Sequence, residues 1–161
     1  MKNPYSSLFL LVGSVWLNTH VFAQQNKPVA ANEVPNTVRE AYETESASTP
    51  KKWEMRTTKN GQVHYFAFFT DANFNVRLVI AQNGTKIRRV MVGQGGGAFN
   101  QDCQGKAAKQ SAGAKIVAQE QVFVFASEKI FYRHIFEKDG KRKIVLTDDA
   151  CNLVDDLDEE D

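Results

Sequence analysis

Residues 63–92, VHYFAFFTDANFNVRLVIAQNGTKIRRVMV, combine runs of β-branched and aromatic side chains with short polar breaks. Such runs, bounded by turn residues, are typical of antiparallel strands. The pair Asn83-Gly84 is a strong hairpin signal, because both central positions of a type I′ turn need a positive φ. This stretch therefore predicts three consecutive strands, at about 62–70, 75–82 and 85–92, with a short polar connection at 71–75.

A helix and one more strand are predicted upstream of this meander. Four apolar or aromatic residues fall on one helical face, with Pro35 suited to the first turn: Val34, Val38, Ala41 and Tyr42. Residues 46–50 end the helix. A strand at about 51–59 then leads through Asn60-Gly61, a second hairpin signal, into the meander.

The same order of elements starts again downstream. Gly93 to Gly97 (GQGGG) interrupts the strands, and a weaker helical stretch follows near 101–111. Three strands are predicted next, at about 115–125, 130–138 and 142–147, the last two joined by Asp139-Gly140. The predicted fold class is α+β, an antiparallel sheet with flanking helices.

An internal duplication is favoured by the alignment of the two halves. Residues 64–92 align with 120–148 at a fixed offset and without a gap. The matched order of helix, strands and turns indicates a tandem repeat of one helix-plus-strands unit. Three of the 29 aligned positions are identical, so a chance match is the alternative.

The start of the sequence predicts export. Lys2 precedes an apolar run, Leu8 to Leu17, which is shorter than the roughly 20 residues that a membrane-spanning helix needs. Val21-Phe22-Ala23 has the pattern of a cleavage site, so residues 1–23 are predicted to be a signal peptide cleaved after Ala23. An uncleaved anchor is the alternative. We expect a soluble periplasmic or secreted protein without a membrane span, its oligomeric state left open.

Charge is distributed unevenly along the chain. Lys2 is the one charged residue in 1–23, so 19 basic and 19 acidic residues follow it; six of the acidic ones lie in 155–161, which leaves 13 in 24–154. Residues 24–33 are predicted to be a flexible leader and 155–161, here called the acidic segment, a solvated tail. Weak Ca²⁺ binding by the acidic segment is the alternative. Basic residues spread along strands of an exported protein argue against nucleic-acid binding.

Two cysteines, Cys103 and Cys151, lie in the predicted exported part. In an oxidising compartment two thiols without a third favour one disulfide. A reactive catalytic cysteine is the alternative, although neither residue lies in a recognisable nucleophile motif.

The sequence contains no recognisable motif of catalysis, cofactor binding or metal binding. His64 and His134 lie within predicted strands, where a lone histidine is usually structural. GQGGG lacks the Lys-Ser/Thr of a phosphate-binding loop. Asp71-x-Asn73-x-Asn75 lacks the glycine and the closing glutamate of a calcium loop. The sequence predicts no catalytic residue, no metal site and no cofactor, and so a protein that is not an enzyme.

A binding face is predicted instead. One face of the sheet must pack on the helices, while the other carries aromatic side chains interleaved with Arg and Lys, which protein-binding surfaces favour. The alternative is a second packed face between the two halves. The candidates are Trp53, Phe66, Phe68, Phe74, Tyr132 and Arg133.

The stretch VPNTVREAYETE…PKKWEMRTTKNGQVHYFAFFT…VRLVIAQNGTKIRRVMV resembles the PepSY-like, or β-lactamase-inhibitor-protein-like, domains of exported bacterial proteins. The matching features are Val34-Pro35, Lys52-Trp53-Glu54, Tyr65-Phe66 and Asn83-Gly84. The resemblance implies unit 1 at 34–92, a Gly-rich linker at 93–100 and a weak unit 2 at 101–154. In unit 2, Lys109 stands at the Trp53 position and no Val-Pro pair opens the helix.

The resemblance also implies a function. Its members bind or inhibit other proteins, often peptidases, and tandem copies would form a concave sheet surface. We therefore expect an exported, non-enzymatic binding module whose partner is another exported protein. The alternatives are a small hydrolase or isomerase using His64 or His134, and a structural or calcium-responsive envelope protein.

Overall fold

A computed structural model describes residues 26–94, 99–155 and 157 of the chain. Two helices, α1 (Asn36–Glu43) and α2 (Gln101–Ala108), accompany nine strands. The strands are β1 (Lys27–Val29), β2 (Lys52–Thr57), β3 (Val63–Asp71), β4 (Phe74–Ala81), β5 (Lys86–Gln94), β6 (Lys115–Val124), β7 (Lys129–Lys138), β8 (Lys141–Asp148) and β9 (Leu153–Val154).

The nine strands form one antiparallel sheet in which each strand pairs with its neighbours in the sequence. The predicted antiparallel sheet with flanking helices is thus present, with much more strand than helix. β5 pairs with β6 over seven residue pairs, from Arg88↔Val124 to Gln94↔Ala118. The two predicted units are therefore parts of one continuous sheet rather than two separate sheets.

Both helices lie on the same face of the sheet. Val38 and Tyr42 of α1 pack with Leu78 of β4, and Cys103 of α2 packs with Tyr132 of β7. Opposite residues of an antiparallel pair share a face, and the register runs Leu78↔Arg89↔Phe123↔Ile130. Ile130 and Tyr132 are two residues apart and so point the same way.

The core beneath α1 is built from aromatic rings. Tyr42 makes edge contacts with Trp53 and Phe69, with ring centroids 5.5 and 5.3 Å apart. Such pairs are worth about 0.5–1.5 kcal/mol each beyond their buried area. The Tyr42 hydroxyl donates to the Ser48 carbonyl oxygen at 2.7 Å, so the ring is buried without losing its hydrogen bond.

The N-terminus of α2 is capped by Asn100. Its side-chain oxygen accepts from the backbone N–H groups of Asp102 and Cys103, both at 3.1 Å. Helix termini leave such donors without an intrahelical partner, and an Asn cap typically contributes about 1 kcal/mol. Within α2, Cys103 forms a disulfide with Cys151, which lies 48 positions farther along the chain.

The predicted flexible leader differs from the structure. Within 24–33, Lys27–Val29 forms strand β1, which pairs with β2, and Ala31–Glu33 forms a 3₁₀ turn. A three-residue edge strand that contains Pro28 has no alternating apolar pattern to reveal it. Its backbone pairing with β2 holds it instead.

Two of the three predicted type I′ turns are longer loops. Thr58 N–H donates to the Gln62 carbonyl and Ala81 N–H to the Thr85 carbonyl, and each pair encloses three residues. In these loops the final residue, Gly61 or Gly84, has a positive φ, while the preceding Asn does not. This is the pattern of a type I turn followed by a left-handed residue.

The turn at Asp139-Gly140 matches its prediction, since both residues have a positive φ, 53° and 71°. It joins β7 to β8 through two residues, as a type I′ turn requires.

Other predictions lie outside the described residues. These are the signal peptide at 1–23, residues 95–98 of the Gly-rich linker, and the acidic segment apart from Asp155 and Leu157. Across the parts of the chain that the structure describes, none of the helices is long and apolar enough to cross a membrane.

Candidate binding face

The candidate site is the sheet face opposite the two helices, here called the helix-free face. Strand alternation places Phe68, Arg77, Val90, Val122 and Phe131 in one row across β3 to β7. The adjacent row, starting on β2, contains Glu54, Phe66, Val79, Arg88 and Val124. Arg56, Glu120 and Arg133 are further charged residues on this face.

Arg77 lies at the centre of this face. Its Nε is buried, and no described atom accepts a hydrogen bond from it. Burial lowers the pKa of the guanidinium, and the nearby charges of Arg133 and Arg56 lower it further, against the opposing effect of Glu120 and Glu54. Arg77 is therefore a desolvated cation with incomplete compensation from the residues around it.

Both nearby carboxylates are already hydrogen-bonded to other groups. Glu54 accepts from Lys52 Nζ at 2.7 Å and from Asn26 Nδ2 at 2.9 Å, while Glu120 accepts from Arg133 at 3.3 Å. Burial alone would raise the pKa of Glu54, but the hydrogen bonds from Lys52 and Asn26, with the charges of Lys52 and Arg77, lower it on balance. Glu54 therefore stays ionised.

Aromatic rings of this face are covered by cations. The Lys52 ammonium lies 4.2 Å from the Phe68 ring centroid, and the Arg56 guanidinium lies 5.5 Å from that of Phe66. Phe66 is 3% exposed and Phe68 is half-buried. The face thus presents guanidinium and ammonium groups above a base of rings and valines.

The structure separates the six predicted binding residues. Phe66, Phe68 and Arg133 lie on the helix-free face. Trp53 and Tyr132 are buried on the opposite face, against α1 and α2 respectively, and Phe74 stacks on Phe99 with centroids 5.2 Å apart. The prediction that these six share one face is therefore corrected, because Trp53 and Tyr132 belong to the helix-packed core.

The sequence reasoning missed Arg56, Arg77 and Arg88. The alternation of side chains along β4 could have revealed Arg77, since its neighbours Val76 and Leu78 are both buried on the helix side. An arginine between two core residues of a strand must point to the other face. The sequence prediction of the binding face was based mainly on its aromatic residues instead.

The two histidines are both buried. His134 Nδ1 lies 3.1 Å from Gln119 Nε2 and His134 Nε2 lies 3.1 Å from Thr147 Oγ1. Burial lowers the pKa of His134 to about 4, so the ring is neutral near pH 7. This geometry gives His134 a structural part in the sheet.

Within residues 26–94, 99–155 and 157, no group of three His, Cys, Asp or Glu side chains is arranged to hold a metal ion. The two cysteines, joined to each other, offer no thiolate.

Comparison with known proteins gives no relative for this chain: no family model, no curated protein and no solved structure matches significantly. The resemblance to PepSY-like domains thus remains a prediction from the sequence.

Proposed function

We propose that this protein is an exported, non-enzymatic binding module, similar to PepSY-like domains. Its helix-free face recognises a carboxylate-rich peptide stretch of another exported protein. The observation that carries the proposal is Arg77, a central guanidinium whose buried Nε has no acceptor among the described residues. A carboxylate of a partner that contacts the accessible part of the Arg77 side chain would compensate its charge, and charge-assisted hydrogen bonds of this kind are about twice as strong as neutral ones.

The spacing of the arginines fits an extended peptide. Arg77 lies opposite Val90, and Arg88 is two residues from Val90, so the two arginines are diagonal neighbours on adjacent strands. Such neighbours are about 7–8 Å apart. Alternate side chains of an extended peptide lie about 7 Å apart. A peptide with carboxylates at every second position can therefore reach both arginines.

The test uses an eight-residue peptide of alternating Glu and Val as the probe. We expect the Arg77→Gln variant to bind this peptide at least tenfold more weakly than the unchanged protein, measured by fluorescence anisotropy. Loss of a hydrogen bond to a charged group costs about 1.5–3 kcal/mol, which corresponds to that change or more. A Lys-Val peptide of the same length should not bind.

Arg39→Gln is the matched control, because it removes the same charge from α1 on the other side of the sheet. Its affinity for the Glu-Val peptide should stay within twofold of the unchanged protein. Circular dichroism and thermal melting would verify that both variants fold. Equal binding by the two variants would contradict the proposed site.

We also propose that the sheet arose by internal duplication. At the offset found in the sequence, β4 corresponds to β7, and α1 packs against β4 while α2 packs against β7 and β8. This matched placement of the two helices supports the repeat. Unit 2 differs in having no counterpart of β2, because α2 leads directly to β6, the equivalent of β3.

A further inference from the structure

Part of the sheet edge at β8 is left open by its neighbours. Strand β8 spans Lys141–Asp148, but β9 pairs with only two of its residues, Leu146 and Thr147. Leu157 packs on residues of β5, β6 and β7, so the chain beyond β9 passes onto the helix-free face instead of following β8. In the part of the chain that the structure describes, no strand pairs with the outer side of 141–145.

The hairpin that β8 forms with β7 determines which of its backbone groups face outward. In a two-residue hairpin the residues that flank the turn, here Asp139-Gly140, exchange hydrogen bonds, and bonded pairs then alternate along the ladder. The N–H and C=O groups of Arg142 and Ile144 therefore point away from β7. The far end of β8 follows the same alternation, because Asp148 N–H donates away from β7, to the Asn152 carbonyl oxygen at 3.0 Å. Arg142 and Ile144 thus direct two donors and two acceptors to the open edge.

Three consecutive cations lie along this edge. Lys141, Arg142 and Lys143 are all exposed. The Arg142 guanidinium donates to Glu137 at 3.1 Å, while the Lys143 ammonium donates to a neutral acceptor, the Gln110 carbonyl oxygen. Two copies of the chain paired edge to edge would bring these cations together, and like charges opposite one another destabilise a sheet. The charges therefore favour a partner strand that carries carboxylates.

An exposed apolar residue follows the three cations. Ile144 is 57% exposed and lies opposite Ile135 of β7, so an apolar residue of an added strand would cover it. The other edge of the sheet is less suitable, because β1 is three residues long and includes Pro28, which has no N–H. The open part of β8 is therefore the edge better able to accept a strand.

We propose that a carboxylate-rich extended stretch of another protein adds to the sheet beside 141–145, antiparallel to β8. Arg142 and Ile144 exchange backbone hydrogen bonds with it, as in other proteins that bind a peptide at a sheet edge. Carboxylates of the added strand lie opposite the three cations, and an apolar residue lies opposite Ile144. This edge is four strands away from Arg77 on β4, so it is a second site beyond the proposed function.

The probe for this site is the peptide Thr-Val-Glu-Glu-Glu-Thr, capped at both ends. In the antiparallel register its valine lies opposite Ile144 and its three glutamates lie opposite the cations. We expect the peptide at saturation to slow hydrogen exchange of the Arg142 and Ile144 amides by about tenfold or more, because these N–H groups gain acceptors. Thr-Val-Lys-Lys-Lys-Thr should give no protection. Unprotected amides at both residues with the glutamate peptide would overturn the inference.

N-methylated forms of the glutamate peptide separate strand addition from charge attraction alone. The glutamate opposite Arg142 donates its N–H to β8, whereas the glutamate opposite Lys143 directs its N–H away from β8. Methylating the first nitrogen should weaken binding by about tenfold or more, and methylating the second should change it by less than about threefold. Both peptides keep the same charge. Equal affinities of the two peptides would contradict the added strand.

Two variants test the same edge from the side of the protein. Ile144→Pro removes one outward N–H, and proline is tolerated where the N–H of an edge strand faces solvent. Ile144→Val is the matched control, because it keeps that N–H and a similar side chain. The proline variant should bind the glutamate peptide at least about tenfold more weakly, and the valine variant within about twofold. If circular dichroism shows that the proline variant does not fold, the methylated peptides decide the question with the unchanged protein.

This inference and the proposed function fail in different ways. Arg77→Gln should leave the protection of the Arg142 and Ile144 amides unchanged, and loss of that protection would overturn the edge site. If the edge amides are protected but Arg77→Gln binds the Glu-Val peptide as tightly as the unchanged protein, the edge site stands and the proposed function is wrong. Protection that rises with protein concentration in the absence of peptide would identify a second copy as the occupant and overturn the carboxylate-rich partner.

Discussion

His134 holds together four parts of the second half of the sheet. The Gln119 side-chain oxygen accepts from Phe99 N–H at 3.1 Å, which fixes the amide orientation and directs its nitrogen at His134 Nδ1. Since that nitrogen can only donate, Nδ1 accepts and the ring proton is on Nε2, which donates to Thr147 Oγ1. One neutral imidazole therefore connects β6, β7, β8 and the segment before α2.

Stability should depend on pH through this residue. Because the pKa of His134 is lowered from 6.5 to about 4 in the folded protein, the unfolded chain binds a proton first as the pH falls. The free energy of unfolding should then decrease between pH 6.5 and 4, by about 1.4 kcal/mol per pH unit at most. Urea unfolding at pH 7 and pH 4.5 measures this loss.

The variant for this pH experiment is His134→Gln. It removes the titrating ring and should flatten the pH dependence, although it lowers stability at pH 7 by breaking the hydrogen bonds to Gln119 and Thr147. An undiminished slope in His134→Gln would show that other groups cause it.

At the scale of elements, α1 is fixed to the turn between β4 and β5. Thr37 Oγ1 donates to the Gln82 carbonyl at 3.0 Å, and a Cβ on Gly84 would lie 2.9 Å from the Thr37 carbonyl oxygen. Such a contact is too close for either backbone to remain in place. Glycine is therefore favoured at position 84 for two reasons: the backbone has a positive φ of 89°, and the helix approaches too closely for a Cβ.

Gly84→Ala should therefore lower stability more than Gly61→Ala does. Both alanines adopt an unfavourable positive φ, which costs about 1–2 kcal/mol, but a Cβ at Gly61 meets nothing within 4 Å. We expect Gly84→Ala to lose at least about 1 kcal/mol more, because α1 must move away from the turn. Denaturant midpoints of the two variants measure the difference, and equal losses would contradict the argument.

The long strands and α1 were predictable because runs of β-branched and aromatic residues mark the strands and apolar residues share one face of the helix, whereas α2 was predicted from a weaker pattern. Strand β3 was predicted at about 62–70 and spans Val63–Asp71, and α2 was predicted near 101–111 and spans Gln101–Ala108. Strand β1 was not predicted, since three residues at an edge bury little apolar surface. Its position depends on pairing with β2, a contact that no local pattern encodes.

The candidate binding face was only half predictable, because the register of the strands decides which side chains share it. A one-residue shift in pairing moves every side chain of a strand to the other face. The register Trp53↔Ala67 places Trp53 with the helices and leaves Phe66 and Phe68 on the opposite side. The loop between β2 and β3 encloses three residues, 59–61, one more than the predicted two-residue turn, and this length contributes to setting that register. The sequence showed that aromatic residues were abundant, but not which ones share a face.

At the scale of the whole molecule, the described chain is asymmetric about its sheet. One face carries both helices, and the other carries the arginines together with Leu157. The Cys103–Cys151 disulfide connects the two faces, because it joins α2 on the first face to the stretch of chain that continues through β9 to Leu157 on the second. A constraint on one face thereby limits where Leu157 can lie on the other.

Removing the disulfide should consequently affect α2 and residues 149–155 together. Cross-linking residues 48 apart stabilises a protein by about 4 kcal/mol in the chain-entropy model, so the Cys103→Ala, Cys151→Ala variant should unfold at a clearly lower urea concentration. Hydrogen exchange should accelerate in 101–108 and 149–155 more than in α1, whose contacts lie with β4. Treatment of the unchanged protein with reductant should reproduce this pattern, while the double variant should not respond to it. Equal acceleration in both helices would instead mean that the sheet unfolds as one unit and that the disulfide exerts no local control over residues 149–155.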